Sequence, residues 1–304
     1  MHAVLRNRKA AFGVTVVALF VFLAAFGPLL TSYEPTEYVG VPLEPPSARH
    51  WLGTTGQGQD VLAQTVAGAR ITLLVGFASG LGVMAIGAVV GMTAGFFRGV
   101  VDDALGLLIN VFLIMPGLPL AVVIAAYLPP GPVTITLVLI VTGWAWNARV
   151  LRAQTLALRE KDFVSAAIVS GEGSLRIIFR EILPNMTSLL MSCFIGATVY
   201  AIGAQVGLEF LGLGDINVVT WGTNLYWATN DAALITGSWW TFVPTGLCVA
   251  LVASALVLTN FAIDEVTNPR LRARQRGWSR VLARHGLRPG HSTPVLRQSE
   301  RAAT

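Results

Sequence analysis

Four histidines, two cysteines and two lysines are the side chains from which this chain of 304 residues could build a metal centre, a thiol nucleophile or a phosphate-binding loop. None is spaced for that work. His2, His50, His285 and His291 are scattered, and none falls within metal-ligand spacing of a cysteine. Cys193 and Cys248 lie inside apolar runs, where a thiol acts as a small packing group. No Ser or Cys has the surroundings of an activated nucleophile. A loop that cradles nucleotide phosphates needs Gly-Lys, yet Lys9 follows Arg8 and Lys161 follows Glu160. Bond chemistry is therefore not expected of this chain, nor is a bound metal or cofactor.

The elements that carry these residues are oily. The chain is 54% hydrophobic and 12% charged, with a mean hydropathy of +0.66, well to the apolar side of soluble domains. Six windows contain no Asp, Glu, Lys or Arg: Ala11 to Leu30, Ile71 to Gly95, Ala104 to Leu128, Gly131 to Asn147, Thr187 to Leu208 and Trp240 to Ile263. Each approaches or exceeds the roughly 17 to 25 residues that cross a bilayer as a helix, and barrel-type alternation is absent. The expectation is an all-α, polytopic membrane protein with six transmembrane helices. The first window follows Arg6, Arg8 and Lys9 like a signal peptide, but it is long for one and Thr31-Ser32-Tyr33-Glu34-Pro35 is no cleavage site, so it reads as an uncleaved helix.

Positive charge orients the bundle. With the N-terminus cytoplasmic, only Arg49 and Arg70 of the 21 Lys and Arg fall outside. The C-terminus is then cytoplasmic too. The divisions expected are 1–33, a cytoplasmic start and first helix; 34–69, an extracytoplasmic loop; 70–267, five further helices; and 268–304, an Arg-rich tail read as disordered. The tail offers only Trp278 among its arginines, so it suits anionic lipid rather than nucleic acid. Five aromatics, Trp221, Tyr226, Trp227, Trp239 and Trp240, crowd the loop from Glu209 to Trp239 and its edge, and read as an interfacial belt, with stacking on a sugar as the alternative.

No window holds an ionisable group for a coupling ion, which weakens a secondary carrier. Energy for uphill movement would have to come from another chain, through cytoplasmic contact. One inside loop is large enough: a hairpin over about 156–186. Asp162 to Ser170 should be a short helix with Phe163, Val164, Ala167 and Ile168 along one side, broken at Gly171-Glu172-Gly173-Ser174. Leu175, Ile178, Phe179 and Ile182 then recur at helical spacing, and Pro184 stands where it can start the next helix. In the third window Pro116, Gly117 and Pro119 predict a kinked helix, a candidate lining of a pore.

The stretch "SAAIVSG" followed by "ILPN" resembles the EAA loop of ATP-binding-cassette importer permeases. With "GARITLLVGF", "HWLGT" and "FLGLG", it is similar to the second-permease type of the dipeptide, oligopeptide and nickel subfamily, over roughly Arg49 to Arg272. The resemblance implies the type I importer permease fold in a bacterial inner membrane. It also implies partners: a second homologous permease, two cytoplasmic ATPase subunits or domains that hold ATP and Mg, and an extracytoplasmic substrate-binding protein. Carried over by position, the ATPase-coupling residues are Ala166, Ala167 and Gly171, with Leu183 and Pro184 closing the motif; Phe163, Ile168 and Glu172 flank them. Ser165 departs, standing where the family most often has Glu, so a charge-assisted contact is lost. Glu181 stands where His is frequent. The implied solute is a peptide, with oligosaccharides or nickel chelates as alternatives; a gated channel or receptor subunit without an ATPase is the rival reading.

Overall fold

The computed structural model describes residues 8–267, and among these every regular element is helical apart from one isolated bridge between Thr54 and Asp60. The expected Arg-rich tail, 268–304, lies outside the described residues, as does the start of the chain. Helix α1 covers Arg8–Leu30 and α2 covers Val61–Phe97. Helices α3 (Gly99–Ile114) and α4 (Gly117–Ala126) are followed by α5 (Pro132–Arg159), the short α6 (Asp162–Val169) and α7 (Ser174–Ile177), then α8 (Thr187–Phe210). Helices α9 (Trp221–Asn230), α10 (Ala233–Thr236) and α11 (Val243–Thr267) complete the chain.

Helices α2, α5, the run ending in α8, and the run into α11 are each long and apolar enough to cross a bilayer. A fifth crossing exists if α3 and α4 are one span, and α1 has an apolar part of 17 residues, Ala11–Gly27, at the short limit. The kink expected in the window from Ala104 to Leu128 is thus a full break between two helices set at 83°. Pro116 is the reason. It has no N–H to continue α3, whereas Pro119 falls in the first turn of α4, where backbone donors have no helical partner in any case.

At the centre, α2 is flanked by α5 and α8, and its glycines let those backbones close in. A Cβ on Gly87 would stand 2.8 Å from Asn147 Cβ, and one on Gly95 would stand 2.7 Å from the Arg152 carbonyl oxygen. Gly76 and Gly80 face Ile202 and Thr198 of α8 in the same way. Close backbone approach of this kind supplies the dispersion contacts that hold helices together where lipid provides no hydrophobic drive. Along the other flank, α1 packs on α11, and Phe20, Leu73, Ile202, Trp221 and Val252 share one core.

Two residues assigned to the loop after the fifth window belong to the core instead. Helix α8 runs on to Phe210, and Glu209 is 2% exposed. Its Oε2 accepts from the Thr220 hydroxyl at 2.6 Å and its Oε1 from the Gln205 side chain at 2.9 Å. Trp221 is fully buried rather than interfacial: its indole N–H donates to the Thr65 carbonyl at 2.9 Å, and Phe20 packs edge-on against its ring. Buried hydrogen bonds outweigh interfacial preference here.

Candidate functional site

The hairpin at one end of the bundle is built from α6 and the segment that follows. Asp162 opens α6, and the helix ends where Gly171 adopts φ +78°. The Gly171 N–H donates to the Ile168 carbonyl at 3.0 Å and the Glu172 N–H to the Ala167 carbonyl at 3.1 Å. This pair of bonds is the Schellman stop, and it requires a residue that tolerates the left-handed region. Nothing lies within 4 Å of where a Gly171 Cβ would be. Glycine is needed there for the turn, and close packing within this chain plays no part.

The expected single apolar side of α6 is divided between two faces. Val164 is fully buried and Ala167 partly so, against Leu151, Ile177, Ile178, Ile182 and Met186. Phe163, Ser165, Ala166 and Ile168 are exposed, and Val169 is 88% exposed. In the second arm the expected set is also split. Ile178 and Ile182 are buried with Ile177, while Leu175 and Phe179 are exposed. The cause is a π-helical turn over Ile178–Ile182, followed by a 3-10 turn over Leu183–Met186, which shifts the helical phase from the 3.6-residue repeat. Leu183 packs at the margin of the buried cluster; Pro184 is exposed in the 3-10 turn and precedes α8 by three residues. Glu172 pairs with Arg176 at 3.6 Å.

The base of the hairpin is braced by charge. Arg152 of α5 grips both carboxylate oxygens of Asp102 of α3, with the Nη2–Oδ2 distance 2.8 Å. Arg98 meets Glu160 at 3.0 Å. Bidentate pairing fixes orientation as well as proximity.

Near mid-length of α2, α5 and α8 a cavity of about 520 Å³ opens beside the α3–α4 break. Phe112, Met115 and Gly117 reach it from the break, with Thr142, Trp146 and Asn147 from α5 and Ser192, Cys193, Gly196 and Tyr200 from α8. Of the three kink residues, Gly117 lines it; Pro116 and Pro119 do not. Residues 87–273 match the family described as binding-protein-dependent transport system inner membrane component, and residues 1–46 match the N-terminal membrane domain of oligopeptide transport permease C.

The chain belongs to this permease family. It is the non-catalytic membrane component of an ATP-binding-cassette transporter. Among its relatives, the oligopeptide transport system permease protein OppC of Mycobacterium bovis is 33% identical over 90% of this chain and 94% of its own length. OppC of Bacillus subtilis is 28% identical over 88% and 87%, and the dipeptide permease DppC of Alkalihalophilus pseudofirmus is 30% identical over 88% of each.

At the opposite end, the permease carries a folded loop, in which the Gly-rich stretch that reads in the sequence as a turn into a helix from about Gln59 leads into α2 at Val61. Buried His50 donates from Nδ1 to Asp60 Oδ2 at 3.0 Å, while Asp60 Oδ1 caps α2 by accepting from the Ala63 N–H at 2.8 Å. This is what the His of "HWLGT" does. Trp240 donates to the Thr54 carbonyl at 3.2 Å and Gln57 to Asp231 Oδ1 at 3.1 Å, which ties the loop to the segments around α9 and α11. Burial pushes the Asp231 carboxyl above the usual range, against the opposing bonds from Gln57 and the Gly56 N–H. Nothing at ten residues' separation marks His50 and Asp60 as partners before the loop folds.

Proposed function

We propose that this permease forms half of the translocation path of an ATP-driven peptide importer in a bacterial inner membrane, with both termini cytoplasmic. The hairpin then lies inside and the His50–Asp60 loop outside. ATP and Mg act in two partner ATPase subunits. Their closure draws the hairpin toward that of a second permease, and the helices bordering the mid-membrane cavity move between inward-open and outward-open arrangements. A substrate-binding protein delivers solute on the loop side.

The observation that carries this reading is the exposed apolar edge of the hairpin. Phe163, Ile168, Val169, Leu175 and Phe179 are exposed on a structure whose opposite face is anchored in the bundle by Val164, Ile177 and Ile182. A rigid element with a buried root and an uncovered apolar tip is suited to pass force from a docked protein. Peptide as solute is supported by the oligopeptide and dipeptide permeases to which the chain is similar.

The test is uptake of a labelled peptide into proteoliposomes that contain the chain with its partner permease, ATPases and binding protein. Uptake should require ATP on the hairpin side and reach accumulation above the external concentration. Equilibration without ATP would indicate a channel instead.

A further inference from the structure

We propose that the α2–α3 turn and the end of α5 bind the phosphate of an anionic phospholipid headgroup, held between Arg98 and Arg159. The site needs only that these helices cross a bilayer and is independent of the importer reading. Arg98, Arg149, Arg152 and Arg159 lie at this end of the bundle, and the first three have polar partners. Arg152 grips Asp102, Arg98 meets exposed Glu160, and Arg149 donates to the Asn110 side chain at 2.8 Å. Arg159 has no carboxylate partner among the described residues. Its guanidinium lies over the Phe96 ring, 5.4 Å from the centroid, and close enough to Arg98 for the two cations to repel. The Arg159 Nη1 is shielded from water without a hydrogen-bond partner, and so is the Arg98 Nε. Two partly desolvated guanidinium groups that repel each other, each with a donor unused, are satisfied together by one oxyanion shared between them. The backbone at Arg98 adds to this. It adopts φ 58°, which side chains rarely do, and α3 starts directly after it with no side-chain cap on its first N–H groups, so the positive end of the helix dipole faces the same turn.

The position fits a lipid better than a soluble phosphate. Arg70 and Arg98 bracket the membrane part of α2 with no Asp, Glu, Lys or Arg between them. At 1.5 Å per residue they stand about 42 Å apart, close to the roughly 40 to 45 Å of a bilayer with its headgroups. Phe97, Val100 and Val101 beside Arg98 are exposed, Val100 at 83%, so apolar surface for the glycerol and upper chains adjoins the cationic pair. Asp102 is occupied by Arg152 and Asp103 is exposed to solvent, which leaves Arg159 as the uncompensated charge. A headgroup with a single net negative charge, such as phosphatidylglycerol, balances it; a zwitterionic one does not.

The test heats the full chain, purified in a neutral detergent, with equal concentrations of a short-chain phosphatidylglycerol, the matching phosphatidylcholine or inorganic phosphate. Phosphatidylglycerol should raise the unfolding midpoint by about 3 °C, and the other two by much less. Arg159→Gln should remove most of that shift, whereas Arg149→Gln, at the same end but bonded to Asn110, should keep it. No shift with phosphatidylglycerol would overturn the proposal. An equal shift with inorganic phosphate would make the ligand a soluble anion, and an equal shift with phosphatidylcholine would mean that headgroup charge is not read. Equal losses in the two variants would reduce the effect to diffuse attraction by a basic surface. Each of these results contradicts the site. A second measurement needs no variant. In proteoliposomes of the wild-type chain, phosphatidylglycerol with a photoreactive headgroup should label the segment from Phe97 to Val101 several times more than that from Arg176 to Arg180, which also carries two arginines; even labelling would overturn the proposal.

Discussion

Glycines in α2 and glycines in the hairpin do opposite things. Gly87, Gly91 and Gly95 are jammed against the α5 backbone, so their value is the absence of a side chain. Gly171 and Gly173 face open space on the chain's own surface, and Gly171 is valuable because its backbone enters the left-handed region. The same residue type makes one region rigid by packing and gives the other its shape by a turn. The proposed coupling role would need both, since a lever transmits force only if its root does not yield.

Four substitutions test that contrast, the most damaging first. Gly91→Leu would drive a side chain into the Ala148 carbonyl and the Arg152 N–H of α5, at a cost of about 3 kcal/mol or more. Little folded protein should be recovered from membranes, as read by size-exclusion chromatography in detergent. Gly171→Val should insert and fold, because no neighbour obstructs it. Its strained backbone, about 1 to 2 kcal/mol, should remodel the Schellman turn and reduce ATP-driven uptake strongly. Gly171→Asn, which tolerates the left-handed region, should restore most of that uptake; equal loss in both variants would mean that bulk, not conformation, matters at the turn. Gly173 has φ −67°, and Gly173→Ala should change thermal stability by no more than about 0.5 kcal/mol.

Much of the fold was legible because a membrane forces helices to be long and uncharged, and because Pro116 and Gly171 mark breaks through local backbone rules. The long glycine-rich second helix and the hairpin's two arms followed from the same reasoning. What escaped was set by contacts between distant segments. Trp221 looks interfacial until Thr65 and Phe20 are placed beside it, and Glu209 looks like a loop residue until Gln205 and Thr220 satisfy its oxygens. The phase of the hairpin's second arm was misjudged because a 3.6-residue repeat was assumed across a π turn that the sequence does not announce. The mid-membrane cavity was foreseen only at Gly117; its walls on α5 and α8 become neighbours through the packing of both helices on α2.

The central claim is that force enters through the hairpin tip, and Val169, almost wholly exposed there, allows it to be tested directly. In a complex whose chain lacks Cys193 and Cys248, Val169→Cys should form a disulfide with a single cysteine placed on the surface of the proposed partner ATPase. That cross-link should abolish ATP-driven uptake, and reduction should restore it. Failure of Val169→Cys to cross-link with any position on the ATPase, in the presence or absence of nucleotide, while uptake stays normal, would contradict the account.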